Sequence, residues 1–299
     1  MKVGVDTYSY HRLFGEIYPN QVDPGRRWEF DQAVDEAIRL GVDGISLETC
    51  FMPRFDRDYL AQIKEKLDDQ KMERMVAWGH PDGLEGGDNL EAAKEMEQHL
   101  ATAQAVGATV MRIVGSSLMF RDKPHGPQIE GISSILSESV KKAEDADVRL
   151  AIENHIDFNA DEILEILDRV DSDYLGVNFD SGNTLRVFED PVEAARKLAG
   201  RTIATHIKDI DPATGSPQDW TFWASAAAGS GIIDMPGVVN ALAEGGYDGM
   251  LCVEIDFLKD PQADETKAVE DAVNFLRTLV CRPEQAQRSS GNTNALGHS

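Results

Sequence analysis

The sequence predicts a (β/α)8 barrel, and three observations carry that expectation. Short apolar, β-branched runs alternate with longer segments of helical period along a chain of 299 residues, and the alternation completes eight rounds. The first strand candidate runs into Asp6-Thr7-Tyr8-Ser9-Tyr10-His11, not into the glycine-rich loop that follows the first strand of a nucleotide-binding open sheet. The last four strand candidates carry metal-ligand residue types at or beside their ends, where a barrel builds its active site. An open doubly wound sheet would alternate in the same way, but the strand ends favour the barrel.

Strands are expected at 2–7, 44–48, 74–78, 109–114, 149–153, 175–179, 203–207 and 250–254. Helical periodicity fills 28–40, 59–69, 90–106, 132–146, 162–170, 192–198, 236–244 and 265–280. Gly41 and Gly107 follow the first and third helices as C-terminal stops, and Asn89, Asp161 and Asp190 stand where a side chain caps a helix start. Two loops are long, 15–27 after the first strand and 209–234 after the seventh. The second carries Trp220, Phe222 and Trp223, which would stack on a sugar ring or lid the pocket, pack the loop down, or meet another subunit. Residues 1–281 read as one barrel domain, and the polar, aperiodic tail 282–299 as flexible.

Composition narrows the partners. The chain is 41% hydrophobic with 25 Gly and 12 Pro, enough for a sizeable core without low complexity. With 29 Lys+Arg against 53 Asp+Glu, the net charge of −24 excludes nucleic acid. No run approaches the roughly 18 apolar residues of a membrane helix. The opening MKVGVDTYSYHR lacks the apolar centre of a signal peptide, so no membrane partner and a cytoplasmic location are expected. Cys50, Cys252 and Cys281 are widely spaced and form no CxxC pair.

The chemistry lies at the strand ends. Glu153 in AIENH, Asp180 in GVNFDSGN, His206 in IATHIKD and Glu254 in CVEID each close or directly follow an apolar run. Singly, each reads as a solvated loop start. Together, after strands five to eight, they converge on one centre, and charged groups there are costly unless paired. Three carboxylates and one imidazole form an oxygen-rich set that suits one divalent cation, Mn²⁺ or Mg²⁺ first, with Co²⁺ and Zn²⁺ as further occupants.

Strand parity extends the site, because residues two apart point to the same side. Glu153 brings His155, His206 brings Lys208, and Asp180 brings Asn178, while Glu48 looks in from the second strand end and His80 stands at the rim. Lys208 would offset the net charge of about −1 left by three carboxylates and a divalent cation, and would polarise a substrate oxygen. The plainer reading of Lys208 and Asp209 is a salt-bridged loop, and of His80 and His155 a structural hydrogen bond.

In order and spacing, the series EN, FDSGN, HIKD and VE resembles the sugar-phosphate isomerase/epimerase family, the xylose-isomerase-like barrels, over about residues 1–280. The resemblance implies one divalent metal held by Glu153, Asp180, His206 and Glu254. In the ketose 3-epimerases of this family the two Glu residues also act as acid and base. Glu153 and Glu254 would then bracket a carbon next to a carbonyl and form an enediolate by proton removal. The chain departs from that pattern in two places: Asn183 stands where those enzymes carry a His, and no Arg closely follows HIKD. The HIKD form with Lys208 is more similar to the inosose dehydratases and keto-sugar lyases, and to C-glycoside deglycosidase catalytic subunits, which would use a histidine such as His155 as base.

The expected function is therefore a metal-dependent sugar isomerase or epimerase that abstracts the proton α to a carbonyl, with a β-eliminating keto-sugar lyase as the alternative. Its expected catalytic residues are Glu153, Glu254, His155 and Lys208, and its expected substrate contacts are Glu48, His80, Asn183, Trp220 and Trp223. A small sugar or keto-glycoside is the expected partner, together with a second copy of the chain, or a different second subunit in a deglycosidase. The endonuclease-type members need a trinuclear zinc cluster with more histidines than this series offers. A non-catalytic sugar-binding or assembly subunit completes the set of readings.

Overall fold

The structure, a computed structural model, describes residues 1–280; Cys281 and the tail 282–299 lie outside the described residues. Eight parallel strands, β1 (Lys2–Asp6), β2 (Gly44–Glu48), β3 (Glu73–Ala77), β4 (Val110–Ile113), β5 (Arg149–Glu153), β6 (Leu175–Asp180), β7 (Thr202–His206) and β8 (Met250–Val253), pair in the order β8-β1-β2-β3-β4-β5-β6-β7. The sheet closes where Ile207 bridges Val253: Ile207 N–H donates to Cys252 O at 2.7 Å and Glu254 N–H to Ile207 O at 3.3 Å. The expected barrel is the observed one.

Around it run α1 (Phe30–Leu40), α2 (Arg57–Asp69), α3 (Leu90–Val106), α4 (His125–Asp145), α5 (Ala160–Val170), α6 (Pro191–Leu198), α7 (Met235–Glu244) and α8 (Glu265–Val280). No helix among the described residues is long and apolar enough to cross a membrane. Gly41 and Gly107 end α1 and α3 at φ +63° and +79°, the left-handed region that glycine enters without strain. Asn89 and Asp190 cap their helices as expected. Asp161 does not cap α5: Asn159 does, in a reciprocal box with Glu162, and Asp161 instead pairs with Lys197. α4 begins at His125 and not at 132. Pro127 is tolerated in a first turn whose N–H groups have no helical partner, and Gly131 admits the loop after β3, since a Cβ there would lie 3.1 Å from Gly86 O.

Parity builds the barrel interior in layers. At its N-terminal end Met75, Val110, Ala151, Ala204, Met250 and Cys252 pack into an apolar cluster of their own. Gly4 and Gly44 leave room for Met250, whose Sδ would lie 2.2 and 2.6 Å from a Cβ at those positions. Two residues further along β4, β5, β7 and β8 stand Arg112, Glu153, His206 and Glu254, all buried. The opposite strand faces, Val5, Ile45, Val76, Ile113, Ile152 and Val177 among them, join the large core beneath the helices.

Two knots fix the loops over the barrel mouth. The Asp209 carboxylate accepts the N–H groups of Gly229 and Gly231 at 2.9 Å and of Ile233 at 3.1 Å, so the loop after β7 closes around it. Asp209 thus serves backbone and does not pair with Lys208. The Arg12 guanidinium donates to the carbonyls of Val22, Pro261 and Ala263 and to Glu265, tying the loops after β1 and β8 to the start of α8.

Candidate active site

At the C-terminal mouth, one donor atom from each of Glu153, Asp180, His206 and Glu254 lies within 4.8 Å of the others, and all four residues are buried. The ends of β5, β6 and β7 and the residue after β8 deliver them as the sequence spacing requires. His206 Nδ1 stands 2.9 Å from Glu254 Oε2 and 3.6 Å from Glu153 Oε2, while its Nε2 faces Asp6 Oδ2 at 3.2 Å. Asp180 Oδ2, His206 Nδ1 and Glu254 Oε2 are buried yet make no hydrogen bond. Buried polar atoms are ordinarily hydrogen-bonded, so a convergent group met only by ion pairs, in an oxygen-rich, one-imidazole set, fits a divalent cation.

The surrounding cations hold the carboxylates in place. Arg112 Nε donates to Glu153 Oε2, and Arg112 Nη1 lies 3.7 Å from Glu48 Oε1. Asn183 donates through Nδ2 to Glu153 Oε1 at 2.9 Å and through its backbone N–H to Asp180 Oδ1 at 2.8 Å, so it orients two members of the cluster. Lys208 Nζ lies 3.2 Å from Asp180 Oδ2 and 3.1 Å from each of Glu254 Oε2 and Asp256 Oδ1. Its aliphatic stem runs against Gly182, where a Cβ would lie 2.9 Å from Lys208 Cγ.

Burial would raise Glu153, but Arg112 and His206 outweigh it and hold the carboxyl well below the usual range. Burial likewise opposes charge on His206 and Lys208, yet the facing carboxylates lift both well above their ordinary values. Asp180 is pushed up to about 7 by burial.

Arg112 was not among the residues expected from the sequence, although a guanidinium inside the apolar strand segment VMRIV was its signal. Replacing it with Met is expected to leave Glu48 and Glu153 buried without their shared cation. Breaking a buried pair from one side costs about 3–5 kcal/mol, and calorimetry should show Tm falling by on the order of 6–20 °C at roughly 2–4 °C per kcal/mol. Adding Glu48→Gln should restore part of the loss.

Beside the cluster opens a cavity of about 470 Å³, within the range of small-molecule sites. Glu48, His80, His155, Asn183, Lys208, Trp220 and Glu254 all line it. His155 is held neutral, its pKa lowered to about 4 by burial, and its buried Nδ1 has no hydrogen-bond partner. His80 stacks on Trp78 at 5.1 Å and accepts Asp82 N–H at Nδ1. Trp220 lies under the Arg186 guanidinium, 4.3 Å from its ring centroid. Trp223 does not line the cavity: its indole N–H donates to Pro217 O at 2.9 Å and packs its own loop.

The cavity wall also holds Tyr8, Tyr18, Arg186 and Asp256, which the strand-end reading passed over. Asp256 was within its reach, since it follows Glu254 by the same two-residue step that selected His155 and Lys208. The two tyrosines and Arg186 lie on a turn, a loop and a short helix, where no period points inward.

The family described as xylose isomerase-like TIM barrel matches residues 34–279 of this chain. An inosose dehydratase of Mesomycoplasma hyopneumoniae is 24% identical over 277 residues, covering 84% of this chain and 89% of that protein. A 3-oxo-isoapionate decarboxylase of Pectobacterium atrosepticum is 26% identical over 211 residues, covering 69% and 74%. Among solved structures, the IOLI protein with a binding zinc atom superposes with a TM-score of 0.73 at 17% identity, over 94% of this chain and 98% of that one.

Proposed function

Because this chain belongs to the xylose isomerase-like TIM-barrel family, we propose that it is a divalent-metal-dependent enzyme of carbohydrates that removes the proton α to the carbonyl of a sugar or keto-sugar and then expels a β-hydroxyl as water. One observation carries this reading: Glu254 of the four-residue cluster and His155, whose buried Nδ1 has no hydrogen-bond partner, line the same cavity. The inosose dehydratase relative, matched along most of both chains, supports the dehydrating outcome.

Glu153, Asp180, His206 and Glu254 would hold the cation, for which the hard donor set favours Mn²⁺, with Zn²⁺ as in the IOLI protein the next occupant. When bound, it supplies Lewis-acid stabilisation of the charge that builds on the carbonyl oxygen. The remaining work falls to side chains. His155 takes the α-proton. Lys208, kept protonated by Asp180, Glu254 and Asp256, donates to a substrate oxygen. Glu153 is committed to Arg112 and Asn183, and Glu254 to His206 and Lys208, which leaves neither free to shuttle a proton as an epimerase pair would. Isomerisation or epimerisation begins with the same proton removal and is the second reading, supported by the matching places of Glu153 and Glu254 on β5 and next to β8.

The test follows the Mn²⁺-loaded enzyme in D₂O with ketoses, keto-inositols and 3-keto-glycosides, recording deuterium at the α-carbon and ultraviolet absorbance of an eliminated product. Deuterium gain with new absorbance is the expected result. Deuterium gain alone would move the assignment to isomerase or epimerase, and neither signal with the metal bound would remove the enzymatic reading.

A further inference from the structure

An elimination needs an acid as well as a base. A hydroxide is a poor leaving group, so a proton must reach the departing oxygen as the C–O bond breaks. The cationic groups already described do not offer one freely. Lys208 is shared among three carboxylates, and Arg112 is committed to Glu48 and Glu153. Glu16, which also lines the cavity, is exposed to solvent.

Across the cavity from His155 stands a pair of phenols. Tyr8 lies on the turn Thr7–Tyr10 that follows β1, Tyr18 lies in the long loop beyond it, and their hydroxyls are hydrogen-bonded to each other. Both line the cavity. β1 and β5 are four places apart in the eight-stranded order, so the turn after β1 and His155 after β5 occupy opposite walls of the mouth. The pair is held firmly. Tyr8 stacks on His11 at 5.1 Å, and its backbone N–H is fixed by Asp6 Oδ1 at 2.6 Å. Tyr18 packs between His11, Trp220 and Phe257 at 4.9, 5.9 and 6.1 Å. The His11 ring that both touch is pinned by the carbonyls of Glu16 and Asp256.

We propose that the Tyr8–Tyr18 hydroxyl pair is the general acid that protonates the leaving β-hydroxyl, on the face of the substrate opposite His155. The proposal rests on the dehydrating reading above. His155 takes the α-hydrogen as a proton, and the C–H electron pair becomes the double bond of the enediolate. As that double bond shifts, the β C–O bond breaks with both electrons on oxygen, a phenolic proton joins it, and water departs. The phenolate recovers a proton as His155 gives one up to solvent, so the enzyme ends as it began. Burial raises both tyrosines above the ordinary phenol value, so both hydroxyls carry their protons at neutral pH.

The experiment uses the full-length, Mn²⁺-loaded enzyme with a keto-inositol and a 3-keto-glucoside, each beside its analogue carrying fluoride in place of the β-hydroxyl, because fluoride leaves with little need of an acid. Tyr8→Phe and Tyr18→Phe are expected to lose water elimination by roughly 10²–10⁴-fold while α-deuterium exchange and fluoride release stay within about threefold. Water loss within threefold of wild type in both variants would overturn the proposal. So would an equal fall in water loss, fluoride loss and exchange, the mark of a purely structural role. If wild type exchanges deuterium but eliminates neither group, the dehydrating reading itself fails and the acid assignment with it.

Discussion

Asp180→Asn is expected to abolish divalent-cation binding and turnover together. Asp180 offers to the cluster a buried Oδ2 that makes no hydrogen bond and is met only by the Lys208 ammonium at 3.2 Å, and its other oxygen is taken by the Asn183 N–H. An amide in its place presents either a neutral oxygen or an N–H donor to the cation, and it removes one of the three carboxylates around Lys208. Several kcal/mol of charge stabilisation at the carbonyl oxygen corresponds to a fall in kcat/KM on the order of 10³-fold or more. The stability readout is independent of substrate. A ligand at a hundred times its Kd stabilises the folded state by about 2.7 kcal/mol, so adding Mn²⁺ should raise the wild-type Tm by on the order of 5 °C. In Asp180→Asn that metal-dependent rise should vanish. A variant that binds Mn²⁺ with wild-type affinity would mean that the four-residue cluster is not the metal centre.

His155→Ala is expected to separate the two properties that Asp180→Asn loses together. The imidazole lines the cavity but is not one of the four clustered residues, so metal content and the Mn²⁺-dependent Tm rise should match wild type. Without the base, turnover and α-deuterium exchange should fall by the same factor, roughly 10²–10⁴-fold. Equal losses in both signals place the residue at proton removal, before the pathway branches. If exchange persisted while product formation stopped, His155 would not be the base that removes the α-proton.

The barrel was legible because its information is periodic. Each strand is a short apolar run and each helix a longer amphipathic one, and the chain repeats the pair until the barrel closes. The parity rule carried further, from Glu153, His206 and Asp180 to His155, Lys208 and Asn178. The same step from Glu254 reaches Asp256, which also lines the cavity. Asp161 was mistaken for a cap because several acidic and amide residues precede α5, and only the backbone geometry selects Asn159 among them. The first turns of α4 carry Gly126, Pro127 and Gly131, residue types that weaken a helical signal. In place, the proline occupies a position without a donor requirement and Gly131 is a packing notch. Tyr8, Tyr18 and Arg186 were out of reach for a different reason. Their positions depend on how a loop or short turn folds back over the mouth, and that is set by tertiary contacts such as the Arg12 knot.

Every other pair of neighbouring strands is joined by a ladder of at least two paired residues, whereas β7 and β8 meet through the single bridge of Ile207 and Val253. The gap is spanned by side-chain charge, with His206 and Lys208 on one stave reaching Glu254 and Asp256 on the other. The joint is therefore the place where the wall can breathe at least cost, and the groups that clasp it are those assigned to bind and react. Occupancy of the centre and tightness of the barrel form one linked equilibrium, in which the catalyst is also its own fastener.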